Sequence, residues 1–276
     1  MRESEKKLAT IIIAVYKNVD ILRLCLDSIY QNVSKDFPLE IIVVDIEATE
    51  SIRDLAQIDY PHTKYIPCQE NVGFAKALNT GIKEARGEYI ISLNPDIIIK
   101  KNSIETLVQY LKDNPKTGIA GPALLDFNGS SQASCFKFYT PWMILYRRTF
   151  IGRLWFAKKA LKDFAIKVND KKPQKIKGWL MGSALALRKE KISKVGLMDE
   201  RYFMYFEDVD WCRRFYEAGY DIVFVPKAKM FHYHTQSSKS NGFWSLFLNK
   251  MTLIHVRSGI KYFLKFKSWK VSRKRT

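Results

Sequence analysis

Residues 88–96 read EYIISLNPD, and the fold class turns on this stretch. Glu88 to Leu93 is an apolar, partly β-branched run that follows a helical pattern closing at Arg86-Gly87 and stops at a turn-forming Asn-Pro. Such a run predicts a buried strand with a carboxylate, Asp96, at its carboxyl end, where open α/β sheets bind their ligands. Oxygens from Asn94 and Asp96 suit a hard divalent cation such as Mg²⁺ or Mn²⁺, which keeps several waters and takes further ligands from a substrate's phosphates. From these residues alone a plain turn, with both side chains bonded only to backbone, is the more ordinary reading.

Working outward, strand and helix patterns alternate. Upstream, 9–15 (ATIIIAV) reads as a buried strand, 20–31 as a helix, 40–44 as a second buried strand, 51–57 as a weak helix and 63–66 as a short strand. The segment 72–86 has Ala75, Leu78, Ile82 and Ala85 at helical spacing, and 102–113 reads as another helix. Near-continuous apolar strands separated by helices predict a mostly parallel central sheet covered on both faces. The second half is less regular. Residues 137–177 mix aromatics with Arg and Lys and read as an insert suited to acceptor recognition. Residues 178–188 read as a strand with a glycine at its centre, 208–218 as a helix, and 221–225 and 228–233 as strands.

The 276-residue chain is long enough to bury a substantial core, and 47% hydrophobic with 27% charged residues is a globular balance. Four scattered cysteines, Cys25, Cys68, Cys135 and Cys212, suggest neither a zinc site nor a disulfide framework. The amino terminus, MRESEKKLATIIIAVY, does not read as a signal peptide. No apolar run approaches the roughly 18 to 20 residues of a membrane span. The expectation is therefore a cytoplasmic protein, or one peripheral to the inner face of the plasma membrane. Charge is uneven, because no acidic residue follows Asp221 while twelve of the net +18 charges do.

Three further features carry candidate chemistry. Asp45 ends the second strand, where a carboxylate accepts from a nucleobase or ribose, or else caps a helix. Glu207-Asp208-Val209-Asp210 opens the 208–218 helix, and Asp208 reads as a general base or as one of several acids favouring the helix dipole. Arg213 and Arg214 are placed to pair with neighbouring acids. His232 and His234, two apart on a strand, point the same way. Trp179 reads as a surface for an acceptor sugar or as core, and Gly182 as a close backbone approach or a bulge. No GxGxxG follows the first strand and no GxxxxGK[ST] occurs, which disfavours dinucleotide cofactors and Walker-type ATP binding.

The ordered series of Val43-Val44-Asp45, Asn71-Val72-Gly73-Phe74-Ala75 with Asn79 and Gly81, Leu93-Asn94-Pro95-Asp96, Met181-Gly182-Ser183, Phe206 to Asp210 and His232 resembles family 2 glycosyltransferases, nearest their rhamnosyltransferase-like bacterial branch. The likeness spans about residues 8–238. It implies a GT-A fold over 1–238, with a nucleotide-sugar-binding half (1–126) and an acceptor and catalytic half (127–238). It also implies a nucleotide-diphosphate sugar donor, a glycan or lipid-linked acceptor, Mg²⁺ or Mn²⁺, and inversion at the anomeric carbon. Carried over by residue, Asp45, Asn71, Gly73, Asn79, Asn94 and Asp96 bind the donor, with Asn94 in place of the first aspartate of a DxD-type motif. Asp96 and His232 hold the metal, Asp208 is the base, and Trp179, Gly182 and Glu207 face the acceptor. The pattern departs after Asp45, where Ile46 replaces the usual Asn and Glu47-Ala48-Thr49-Glu50 replaces a small-residue run.

The basic extension 239–276 alternates cations and apolar residues. On a helix, Arg257, Lys261 and Lys265 form one stripe while Leu253, Val256, Ile260, Phe263 and Leu264 fall elsewhere. Such a helix, helped by Trp269, Arg273, Lys274 and Arg275, suits an anionic membrane surface. A tail packed on the domain by its apolar face is the alternative. Two rival functions are a nucleotidyltransferase, for which no Gly-rich phosphate loop follows the first strand, and a basic RNA-binding protein. Asp96 and Asp208 sit badly in a polyanion groove, so no nucleic acid is expected.

Overall fold

The run ATIIIAV forms β1 (Ala9–Val15), buried at every position, so both its edges and both its faces must be covered. In this computed structural model, which describes residues 8–148, 150–233, 250–268 and 270–273, β1 pairs in parallel with β2 (Leu39–Asp45) and with β4 (Tyr89–Leu93). On the outer side, β3 (Thr63–Pro67) pairs in parallel with β2. The connections are α1 (Val19–Asn32), a short α2 (Glu50–Asp54) that widens into a π turn over Leu55–Asp59, and α3 (Phe74–Glu84). Asn18 caps α1, its side chain accepting from Ile21 N–H at 3.1 Å. Alternate residues of β1 serve opposite faces: Ile12 and Ala14 join one core, Ile11, Ile13 and Val15 the other.

Beyond β4 follow β5 (Ile97–Ile99), α4 (Ser103–Asp113) and β6 (Thr117–Leu125). The buried strand β6 escaped the sequence reading because Gly118, Gly121 and Pro122 interrupt it. At Gly118 a Cβ would stand 2.6 Å from the Phe215 ring. The insert resolves into β7 (Cys135–Phe136), α5 (Pro141–Arg148), a 3₁₀ turn, α6 (Trp155–Phe164) and β8 (Gln174–Lys175). Then come β9 (Trp179–Leu180), β10 (Ala184–Arg188), α7 (Lys189–Val195), α8 (Glu207–Glu217), β11 (Asp221–His232) and α9 (Lys250–Phe266).

The main sheet runs β3-β2-β1-β4-β10-β6-β11-β5, with β8 on β11, and β7-β9 forms a small second sheet. It is mixed rather than mostly parallel, because β10 opposes both β4 and β6, and β11 opposes β5 and β8. The expected strand 178–188 is therefore two strands broken at 181–183. The expected pair 221–225 and 228–233 is one strand with a register shift between Val225 and Lys229. The cysteines are unpaired.

The carboxy-terminal helix differs most from expectation. Tyr262 is fully buried, the Ser258 hydroxyl donates to Met204 O, and Arg213 stacks over the Phe266 ring at 3.9 Å. Lys265 turns inward to Asp199 (2.7 Å) and Asp210 (2.5 Å), leaving the predicted cationic stripe, while Leu253, Ile260 and Leu264 are exposed beside Arg257 and Lys261. Asp210 is buried and Asp199 partly so, and a buried acid left without a cation is costly, which holds Lys265 on that side. The start of the basic extension, with His234, Trp269, Lys274 and Arg275, lies outside the described residues.

Candidate active site

Asp45 closes β2 at the sheet's carboxyl edge. It is fully buried; Oδ2 accepts from Thr49 N–H (2.8 Å) and the Tyr65 hydroxyl (3.1 Å), whereas Oδ1 has no partner. Burial raises its pKa, opposed by those donors. Two strands over, Asn94 N–H donates to Ser183 O at 2.8 Å, which ties the end of β4 to the 181–183 turn. Asp96 follows in a turn that closes with Ile97 N–H on Asn94 O. Its Oδ2 lies 3.5 Å from His232 Nε2, and its Oδ1 is buried without a partner. The ring of His232 is set from its other side. Gln132 Nε2 donates to Asp126 Oδ1 and His232 O, so its Oε1 is what faces His232 Nδ1 at 2.9 Å. Nδ1 therefore donates to Gln132, which fixes the ring with Nε2 on the side of Asp96.

Asp96 and His232 are close enough to touch one cation. Among the described residues no cluster of three or more His, Cys, Asp or Glu side chains converges, and Asp96 with His232 is the described pair that could contribute to a cation site. The orphaned Asp96 oxygen fits Mg²⁺ or Mn²⁺.

Across the 181–183 turn lie Glu207 and Asp208, at the start of α8. Tyr205 and Phe206 before them both have positive φ, 66° and 70°, a costly pair for aromatic residues that persists only where packing over-determines it. Phe206 is buried against Tyr139 (4.7 Å between centroids), His255 (5.2 Å) and Tyr262 (5.4 Å). The last two come from α9, so the carboxy-terminal helix underlies the bend that aims the two acids. Asp208 Oδ2 accepts from Gly182 N–H at 2.9 Å and Oδ1 from Val209 N–H at 2.8 Å. A Cβ at Gly182 would stand 2.9 Å from that of Asp208. The close neighbour that requires glycine is thus Asp208.

Burial raises the pKa of both acids. For Glu207 the charge of Asp208 adds to it, and Oε2 has no partner. For Asp208 the amides of Gly182 and Val209 and the charge of Arg147 oppose it. The two acids titrate as a pair, and the donors to Asp208 make it the member that ionises more readily. Arg147, on α5, donates to the Tyr139 hydroxyl and lies over the Tyr139 and Phe164 rings. As expected, Arg214 pairs with Asp210 (2.7 Å) and Arg213 with Glu217 (2.8 Å).

The remaining predicted residues have contacts of their own. Asn71 Oδ1 accepts from Gly73 N–H, and Gly73 has φ +78° with Phe203 O where a Cβ would be. This glycine lets the chain enter α3 against the 199–206 loop. Asn79 is buried, its amide hydrogens going to Met198 O and Glu200 and its oxygen accepting from Met198 N–H. With both hydrogens used it braces that loop rather than a donor. Trp179 is 6% exposed, stacked on Phe136 at 4.8 Å, its indole N–H on Lys137 O. It is core and offers no face to an acceptor. Gln132 and Arg147 went unread in the sequence because the site residues they act on, His232 and Asp208, are far away along the chain.

A profile described as glycosyl transferase family 2 matches residues 10–171, more than half of the chain. The chain belongs to this family. Among relatives of this glycosyltransferase is an N-acetylglucosaminyl-diphospho-decaprenol L-rhamnosyltransferase of Mycobacterium tuberculosis, 29% identical over 73% of this chain and 68% of the relative. A dTDP-rhamnosyl transferase of Shigella flexneri is 30% identical over 70% of this chain and 59% of the relative. The family 2 member described here is thus rhamnosyltransferase-like. A Pyrobaculum calidifontis mannosyltransferase, solved with GDP-mannose and Mn²⁺, superposes with TM-score 0.60 and 18% identity over 98% of this chain and 67% of its own. A GalNAc transferase solved with UDP, GalNAc and Mn²⁺ gives TM-score 0.62 and 15% identity over 83% and 44%. Both share the GT-A fold. Family membership favours sugar transfer over nucleotidyl transfer or RNA binding.

Proposed function

We infer that this glycosyltransferase moves rhamnose from dTDP-rhamnose to a hydroxyl of a lipid-linked glycan, with inversion. The observation that supports it most is the row of unpartnered buried oxygens along one edge, Asp45 Oδ1, Asp96 Oδ1 and Ser183 Oγ, which leads to the Glu207–Asp208 pair. Buried polar atoms are completed by protein, ordered water or a ligand, and these three share the edge where the strands end. The choice of sugar and of a lipid-linked acceptor rests on the rhamnosyl relatives.

In this reading Asp45 accepts from the nucleoside, and Asp96 with His232 holds Mg²⁺ or Mn²⁺ at the diphosphate. When bound, the cation offsets the charge that builds on the departing nucleotide diphosphate. Gln132 keeps His232 Nε2 aimed at that site. Asp208, kept ionised by two amides, takes the proton from the acceptor hydroxyl as it attacks the anomeric carbon from the face opposite the leaving group. One displacement inverts the configuration. Glu207, protonated, lies beside it as a hydrogen-bond donor to the acceptor.

The outer face of α9, with Leu253, Ile260 and Leu264 beside Arg257 and Lys261, supports contact with an anionic membrane at its cytoplasmic side. No helix among the described residues is long and apolar enough to cross a membrane.

Thermal-shift measurements with UDP-, GDP- and dTDP-sugars, with and without Mn²⁺, test the donor, since a ligand that binds only the native state raises the melting temperature by mass action. A Mn²⁺-dependent shift confined to the dTDP series is the expected result. A shift with another series would reassign the donor, and none with any series would sink the transferase mechanism.

A further inference from the structure

Phe127 and Tyr233 expose 57% and 50% of their surface beside the Asp96–His232 pair. Phe127 lies flat on Phe231, centroids 5.8 Å apart and planes at 12°, and Lys100 sits 5.0 Å from the centroid of the Phe231 ring. Tyr233 tilts against Phe127 at 5.6 Å, and its N–H donates to Asp96 O at 2.9 Å. The two rings therefore come from separate segments, after β6 and after β11, and are fixed relative to the candidate metal ligands. Together they wall a depression that is also lined by Asp126, Gln132, Met181 and His232. One exposed aromatic needs no explanation, but two in contact at the wall of a polar-floored depression next to a catalytic edge do.

We propose that Phe127 and Tyr233 form a stacking subsite for a pyranose ring. A pyranose has a face of C–H bonds, slightly positive at hydrogen, and a rim of hydroxyls. The C–H face matches the negative face of an aromatic ring, and the rim matches the polar floor. The ring belongs either to the donor's own sugar or to the terminal sugar of the acceptor, an inference that rests on the transferase reading above. Asp45 and Asp96 recognise the nucleotide diphosphate in that reading and leave the sugar without an apolar partner. The aromatic pair supplies one.

Saturation-transfer difference NMR tests this, with dTDP-L-rhamnose and methyl N-acetyl-β-D-glucosaminide as probes on the wild type, Phe127→Ala and Tyr233→Ala. Both side chains are exposed, so neither substitution removes core. Losing one ring contact is expected to lower the sugar C–H signal about five-fold, with the nucleotide protons unchanged. A loss confined to dTDP-rhamnose assigns the subsite to the donor sugar, and one confined to the glucosaminide assigns it to the acceptor. Sugar signals that do not depend on either ring overturn the subsite, whether or not the nucleotide binds. Missing nucleotide signals in the wild type, beside a glucosaminide signal that still needs Phe127, would count against the transferase reading and leave the subsite standing.

Discussion

The edge that carries Asp45 and Asp96 and the bend that carries Asp208 reach the same site by different means. Asp45 and Asp96 stand at or just past the ends of parallel strands, so the repeating strand and helix pattern places them, and each strand is held by neighbours on both sides. Asp208 stands after two aromatic residues in left-handed backbone, and side chains from α5, α9 and the loop at Tyr139 hold it. An acid placed by topology survives local damage. One placed by packing is as sound as the packing beneath it.

The sharpest break in that comparison is Asp208→Asn, which keeps the shape and removes the base. Transfer should fall by about 10² to 10⁴ while donor-induced thermal shift persists; a variant that still turns over would move the base to Glu207. Next is Tyr262→Ala, which empties space beneath Phe206. It should cost about 3 to 5 kcal/mol of stability by analogy with other buried aromatics, read by urea denaturation, and lower transfer below the melting temperature with donor binding kept. If activity is untouched in the folded variant, α9 does not set the bend. On the strand side, Asp96→Ala should weaken Mn²⁺-dependent donor binding about 10- to 100-fold without lowering stability measurably. An equal loss of donor binding in Asp208→Asn would erase the division between the two regions.

The smallest effect is in pH. Burial raises Asp208 above the ordinary aspartate range of about 4, and a base must be ionised, so the acid limb of kcat/KM should lie above that range and rate should rise with pH through it. Replacing Arg147 with Gln removes a charge that lowers this pKa, and should move the limb further up. Stability responds elsewhere: Arg201 and then Lys265 hold Asp199 well below its ordinary value. A depressed carboxylate contributes stability above its unfolded pKa and loses it as pH falls, so unfolding should be promoted below about pH 4, less so in Lys265→Met.

The same contrast decides what could be read without coordinates. β1, β2, β4 and their helices were legible because a 2.0 or 3.6 periodicity is local, and Asp45 and Asp96 came with them. The Glu207–Asp208 pair was visible as an acidic run. What fixes it was hidden, because Phe206 depends on Tyr262, a residue of a distant helix; on the other edge, His232 depends in the same way on Gln132, 100 positions away. Lys265 misled for the same reason: on a helical projection it belongs with Arg257 and Lys261, and only the acids at Asp199 and Asp210 turn it inward. Of the two readings open for Trp179, sugar surface and core, its burial selects core.

The dependence of the bend on α9 has a consequence for synthesis. A ribosome completes Glu207 and Asp208 well before it makes His255 and Tyr262, the rings that pin Phe206. Until they arrive, the nascent chain can hold its strand-end acids and nucleotide edge while its base is not yet aimed. The enzyme would acquire its donor site before its reactivity, because the rings that pin Phe206 are made after the acids they aim.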